Sequence, residues 1–133
     1  MQYLLDTNTC IYIIKKMPIE VFEKFSKFSL GEIAISSISL AELEYGVSKS
    51  QFVEKNRVAL FNFLLPLEIL PYTQTATLYY GELRAKLERE GKVIGSMDML
   101  IASQALSENL ILVTNNLKEF SRISSLKLEN WIK

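Results

Sequence analysis

Short apolar segments alternate with longer helical segments along the chain, and this alternation restricts the fold more than any other feature. Runs of three or four residues predict buried strands at 2–5, 33–35, 67–70 and 110–113. Helical segments are predicted at 8–16, 19–29, from Ser39, at 52–65, 74–90 and 97–108, with a short helix from Asn116 and an edge strand near 126–128. Helices between short apolar strands are typical of an α/β sandwich around a mostly parallel sheet.

Local signals predict where several helices begin. Ser39 and Glu42 match the capping-box pattern, which predicts that Ser39 caps the helix after the second strand. Pro18 is suited to be the first residue of the second predicted helix. The clearest amphipathic helix, 74–90, has one apolar face made of Ala76, Tyr79, Tyr80, Leu83 and Leu87.

The chain contains no histidine and a single cysteine, Cys10. This excludes Ser-His-Asp triads, histidine general bases, histidine zinc sites and an intramolecular disulfide. The 133 residues are 49% hydrophobic with five Gly and three Pro, which indicates one folded domain, 1–133. Any chemistry must therefore come from carboxylates, hydroxyls, lysines or a metal bound by oxygen, and we expect Cys10 to be a small buried apolar residue.

Charge and hydropathy indicate no membrane association and no general attraction to nucleic acid. Fifteen basic residues balance fifteen acidic ones, and Asp6 follows only five residues after the start of the chain, which leaves no room for a signal-peptide apolar region. No run approaches the roughly 20 apolar residues of a membrane span. We expect a soluble cytoplasmic protein.

Acidic residues follow the predicted strands at the positions where a parallel sheet places ligands. Asp6 ends the first strand, Glu42 lies in the helix after the second, and Asp98 lies in the first turn of an otherwise apolar helix. Asn116 follows the last convincing strand. Because the carboxyl ends of parallel strands share one edge, we expect these side chains to lie close together.

A cluster of carboxylates favours a divalent cation, since neighbouring negative charges cannot all stay ionised unaided. Oxygen ligands select Mg²⁺ or Mn²⁺, which can activate water and stabilise charge on a phosphoryl group. Each acid also has an ordinary structural explanation: Asp6 as a helix cap, Glu42 as part of a capping box, and Asp98 as a partner of the helix dipole. Those explanations do not account for the shared edge, so the metal site is the preferred interpretation.

Several separate segments together resemble PIN-domain ribonucleases of the VapC toxin family. They are 4–11 (LLDTNTCI), 35–43 (ISSISLAEL), 94–102 (IGSMDMLIA), 112–120 (LVTNNLKEF) and 128–131 (LENW). The resemblance spans nearly the whole chain in the family's order. It implies a three-layer α/β/α fold and a Mg²⁺- or Mn²⁺-dependent endoribonuclease that acts as the toxin of a toxin–antitoxin pair.

The resemblance also implies partners and residue roles. A small VapB antitoxin would inhibit the toxin, which would form a homodimer and meet operator DNA only through the antitoxin. The similar VapC branch includes members that cut initiator tRNA in the anticodon stem-loop. Asp6 and Asp98 match the chief metal ligands, and Glu42 matches the central acid. Asn8 matches a residue that orients the first acid, and Thr114 matches a hydroxyl after the last core strand.

One position departs from the family pattern. Many PIN domains carry a fourth acid at or near Asn116, where this chain has a neutral amide. Glu119, one helical turn further on, is either a substitute for that acid or a helix-capping residue. Basic residues that could contact RNA, or could instead pair locally on solvated helix faces, are Lys15, Lys16, Lys49, Lys55, Arg57, Arg84, Lys86, Arg89, Lys92 and Lys118.

Three competing function classes are less consistent with the sequence. A haloacid-dehalogenase-like phosphatase would match the spacing of Asp6-Thr7-Asn8-Thr9, but Asn8 replaces its general acid and the later motifs occur in the reverse order. A non-catalytic binding domain is supported only by Asn116. A nucleotide-binding domain would need a phosphate-binding glycine loop, and the chain has neither common form.

Overall fold

The structure is a computed structural model that describes residues 2–132. Within that range, five parallel strands form one sheet in the order β3-β2-β1-β4-β5, with β1 in the centre. The strands are β1 (Tyr3–Leu5), β2 (Ile33–Ser36), β3 (Glu68–Leu70), β4 (Ile111–Val113) and β5 (Leu128–Glu129). The predicted strands are confirmed, although the edge strand begins two residues later than predicted.

In the described part of the chain, seven helices connect and cover the strands. They are α1 (Thr7–Lys15), α2 (Ile19–Ser26), α3 (Ser37–Ser48), α4 (Val53–Leu64), α5 (Gln74–Glu90), α6 (Ser96–Ser107) and α7 (Leu117–Phe120). The predicted helix 74–90 is confirmed at both ends, where Thr73 caps it and Gly91 ends it in the left-handed conformation. Within residues 2–132, every helix is too short or too polar to cross a bilayer.

The two faces of the sheet support separate apolar cores, because alternate strand residues point in opposite directions. Leu4 and Leu112 pack with α5, α6 and Phe120 of α7 on one face. Leu5 and Val113 pack with α1 to α4 on the other. This arrangement confirms the three-layer α/β/α fold. Cys10 is fully buried in the second core, and burial raises the pKa of its thiol well above the usual value.

Three details differ from the sequence prediction. The prediction that Ser39 caps α3 is wrong. Ser36 caps this helix, because its hydroxyl accepts a hydrogen bond from the Ile38 amide at 3.0 Å. Ser39 is fully buried inside the helix. Pro18 is the residue before α2 rather than its first residue, and α2 ends at Ser26. Tyr79 on α5 is 41% exposed and does not belong to the buried face.

Candidate active site

The central strands bring the predicted acids to one edge of the sheet. Leu5 of β1 lies level with Ile35 of β2 and Val113 of β4. The chain therefore leaves these strands at the same edge, where Asp6 begins the turn into α1 and Thr114 follows β4. The topological prediction from sequence is confirmed for this edge.

Asp6 is both the cap of α1 and a buried acid. Its side chain is 4% exposed, and Oδ1 accepts a hydrogen bond from the Thr9 amide at 2.8 Å. Burial raises the pKa of Asp6, hydrogen bonds from Thr114 and Thr9 lower it, and the charge of Glu42 raises it again. Thr114, which was predicted only as a hydroxyl after the last core strand, therefore contacts Asp6. Asn8, predicted to orient Asp6, is exposed, and Thr9 provides the local hydrogen bonds instead.

Glu42 is held by a side chain from another helix. The Thr7 hydroxyl on α1 lies 2.6 Å from Glu42 Oε1 and 3.2 Å from the Ser39 hydroxyl. The i,i+3 spacing of Ser39 and Glu42 places both on one face of α3, directed towards α1. Sequence reasoning missed Thr7 and misassigned Ser39, although both lie inside motifs that carry the acids.

Asp98 and Glu119 form a carboxyl pair. Burial, the negative charges of Glu119, Asp6 and Glu42, and a hydrogen bond with Glu119 raise the pKa of Asp98 to about 6. The structure thus places Glu119 close to Asp98, as the interpretation of Glu119 as a substitute acid requires.

Asn116 contacts Glu119 and the end of β4. Its side-chain amide donates to Glu119 Oε2 at 3.4 Å, and its backbone amide donates to the Thr114 hydroxyl at 2.9 Å. Asn116 therefore connects Glu119 to the strand end that also contacts Asp6.

The acids Asp6, Glu42, Asp98 and Glu119 form what we call the acidic cluster. The neighbouring charges that shift the pKa of Asp6 and Asp98 are all negative. Two predicted RNA-contacting arginines, Arg57 and Arg84, form ion pairs elsewhere with Glu44 and Glu88. A countercharge for the acidic cluster must therefore come from a bound proton or a cation.

The acidic cluster fits a hard divalent cation that keeps part of its water shell. Among residues 2–132, no three Asp, Glu, His or Cys side chains converge closely enough to hold a metal by themselves. Mg²⁺ typically binds one or two carboxylates together with waters and substrate phosphates, so it needs no complete protein cage. The raised pKa of Asp98 shows that negative charge is disfavoured there, so a cation beside Asp98 would be stabilised.

The raised pKa of Asp98 gives a stability prediction for the protein without metal. The folded state binds this proton more tightly than the unfolded chain, so Asp98 contributes progressively less to stability as the pH rises from 3.8 to about 6. Asp98→Asn removes this titration. In EDTA, we expect the urea midpoint of Asp98→Asn to rise relative to that of the wild type as the pH increases from about 4 to about 7.

The comparison of Asp98→Asn with the wild type cancels titrations elsewhere in the protein. Glu82→Gln, in the exposed middle of α5, is a matched neutralisation outside the acidic cluster. The difference between its urea midpoint and that of the wild type should stay constant over this pH range. A pH-independent difference between Asp98→Asn and the wild type would contradict the assigned charge repulsion.

Comparisons with known proteins agree with this geometry. The PIN domain family model matches residues 3–126. The chain is 53% identical to Ribonuclease VapC2 of Rickettsia felis over 100% of both chains. It is 41% identical to the tRNA(fMet)-specific endonuclease VapC of Shigella flexneri over 98% of each.

A solved structure extends the match to three dimensions. The fold superposes with a TM-score of 0.93 on a chain of DNA-bound VapBC from Salmonella typhimurium, with 42% identity and 99% of each chain covered. A family match over most of the chain and relatives of this identity along its full length identify the family. The chain belongs to the PIN-domain family and, within it, to the VapC ribonucleases.

Proposed function

We propose that the protein is a Mg²⁺- or Mn²⁺-dependent endoribonuclease that hydrolyses RNA phosphodiester bonds. The acidic cluster supports this proposal most directly, because it gathers four carboxylates at the ligand-binding edge without a basic neighbour acting on Asp6 or Asp98. When bound, a divalent cation supplies Lewis-acid stabilisation of phosphoryl charge and lowers the pKa of water.

The residues of the acidic cluster take distinct roles in this proposal. Asp6 and Asp98 would be direct metal ligands, and Glu42 would act directly or through water. Glu119, oriented by Asn116, would supply the further negative charge. Thr114 fixes Asp6, and Asn8 remains a predicted supporting residue. With no histidine in the chain, these carboxylates also carry whatever proton transfer the reaction needs.

The substrate class follows from the relatives. A relative named for specificity towards tRNA(fMet) is 41% identical along almost its whole length. We propose initiator tRNA, cut in the anticodon stem-loop, as the substrate. Unpaired loop bases are the usual targets of sequence-specific RNA recognition. The cytoplasm, where charged tRNA is used, would be the site of action.

The biological role would be that of the toxin in a toxin–antitoxin pair. A solved VapBC complex from Salmonella typhimurium contains a chain that this fold matches closely and is described as DNA-bound. We propose that a small VapB antitoxin binds and inhibits the protein, that the protein forms a homodimer, and that operator DNA is contacted through the antitoxin.

Cleavage of purified tRNA tests the enzyme and its substrate together. With Mg²⁺ or Mn²⁺, we expect one cut in the anticodon stem-loop of initiator tRNA and little cutting of elongator methionine tRNA, which is the matched control. EDTA should stop the reaction and added Mg²⁺ should restore it. Addition of the antitoxin encoded beside the toxin should also stop it.

Each arm of this experiment rejects a different part of the proposal. Unchanged cleavage in EDTA would reject the metal requirement. Equal cleavage of both methionine tRNAs would reject the substrate assignment but would still support nuclease activity. Mapping the ends of the RNA fragments locates the cut.

A further inference from the structure

Thr7 and Ser39 connect two helices at the acidic cluster through hydroxyl groups. Thr7 opens α1 directly after Asp6, and Ser39 lies one turn before Glu42 on α3. From the contacts between these side chains, we propose that Thr7 and Ser39 are positioning residues that hold Glu42 in one orientation for the cation. This inference rests on the proposed function.

The Thr7 hydroxyl is the donor in both contacts. Its 2.6 Å distance to Glu42 Oε1 has the length of a strong hydrogen bond to a carboxylate. Its 3.2 Å distance to the Ser39 hydroxyl oxygen makes Ser39 a second, weaker acceptor. Thr7 thus bridges Ser39 and Glu42, and we call these three linked side chains the hydroxyl chain.

The burial of Ser39 restricts Thr7. Ser39 is 0% exposed, so water cannot replace Thr7 as the donor to its hydroxyl oxygen. A buried acceptor without a donor is unfavourable, and this stabilises Thr7 in the rotamer that faces Ser39. Thr7 is β-branched, which further restricts its side-chain torsion. Ser39 thus fixes Thr7, and Thr7 fixes Glu42.

The consequence for Glu42 is that its two oxygens differ. Oε1 accepts from Thr7, whereas no hydrogen-bond partner of Oε2 is found among residues 2–132. Glu42 is only half-buried and would otherwise sample several rotamers. The hydroxyl chain therefore leaves Oε2 as the oxygen available to a cation or its water. It also couples the position of Glu42 to that of Asp6, which adjoins Thr7.

Thr7→Val tests the chain, because valine keeps the branched shape of threonine and removes the hydroxyl. We expect kcat to fall about 10–100-fold, in line with losses of outer-shell hydrogen bonds at metal sites. The KM for RNA should change little. Binding of Mn²⁺, measured by electron paramagnetic resonance without RNA, should weaken about tenfold. Ser39→Ala should shift both quantities in the same direction.

Two further variants separate positioning from folding. Thr7→Ser keeps the donor and should restore most of the kcat and the Mn²⁺ affinity lost in Thr7→Val. Thr77→Val is the matched control, since the Thr77 hydroxyl is exposed and bonds only to the Gln74 carbonyl of its own helix. It should match the wild type in both measurements.

A double-mutant cycle shows whether Thr7 acts through Glu42. In a Glu42→Ala background, which removes the acceptor of the Thr7 hydroxyl, Thr7→Val should cause no further loss of Mn²⁺ affinity. Full additivity of the two losses, wild-type behaviour of Thr7→Val, or failure of Thr7→Ser to rescue would each overturn the proposal. If the wild type binds Mn²⁺ but cuts no RNA, the proposed function fails, and the Mn²⁺ measurements still decide the role of Thr7.

Discussion

Replacement of Asp6 or Asp98 by Asn is expected to reduce RNA cleavage by at least about a hundredfold, since loss of a direct ligand should exceed the effects of outer-shell changes. The expected loss follows from charge alone. Asn is also a favourable helix cap, so Asp6→Asn should keep the hydrogen bond from the Thr9 amide at the start of α1. The fold should remain while the anionic ligand is lost.

Asp6 and Asp98 are the only two aspartates in the chain, and both lie in the acidic cluster. Single-turnover cleavage of tRNA in Mg²⁺ is the measurement, with circular dichroism to verify the fold. Glu82→Gln, on the exposed face of α5, should cleave at the wild-type rate. Near-wild-type cleavage by either Asn variant would remove that residue from the proposed metal site.

Replacement of Phe120 by Ala is expected to destabilise the fold by about 3–5 kcal/mol, the usual cost of removing a large buried aromatic side chain. Phe120 is 0% exposed and ends α7, where it packs in the core beneath α5 and α6. A domain of this size is stable by only about 5–15 kcal/mol, so the loss is a large fraction of the total.

Phe120 also adjoins Glu119, so the same variant should disturb the carboxyl pair with Asp98. Urea unfolding measures the loss of stability, and Phe61→Ala, on a side chain that is 62% exposed, is the matched control with an expected change of about 0.5 kcal/mol or less. A loss below about 1 kcal/mol for Phe120→Ala would show that α7 is not anchored by this ring.

The layered fold and the shared location of Asp6 and Asp98 could be predicted because they depend on simple repeating features. Short apolar segments such as 110–113 indicated the strands of the sheet. The ends of parallel strands indicated one edge at which Asp6 and Asp98 would meet. Glu119 was harder to assign, because its approach to Asp98 depends on how α7 packs against the N-terminal turn of α6. The sequence around Asn116 left two interpretations of Glu119 open, a substitute acid or a helix-capping residue.

The hydroxyl chain to Glu42 could not be predicted from local sequence. Ser36 and Ser39 are both good capping residues, and β2 runs directly into α3 without a loop, so the pattern alone did not identify the cap. The contact of Thr7 with Glu42 joins residues 35 positions apart. It exists only because α1 and α3 pack side by side, which no local pattern reports.

The central position of β1 also determines when the enzyme can become active during its own synthesis. β1 pairs on one side with β2, which follows soon after it, and on the other with β4 at Ile111–Val113. Until β4 leaves the ribosome, β1 is an open edge and neither Thr114 nor Glu119 exists to complete the surroundings of Asp6 and Asp98. A growing chain therefore lacks the complete acidic cluster until β4 and α7 have been made.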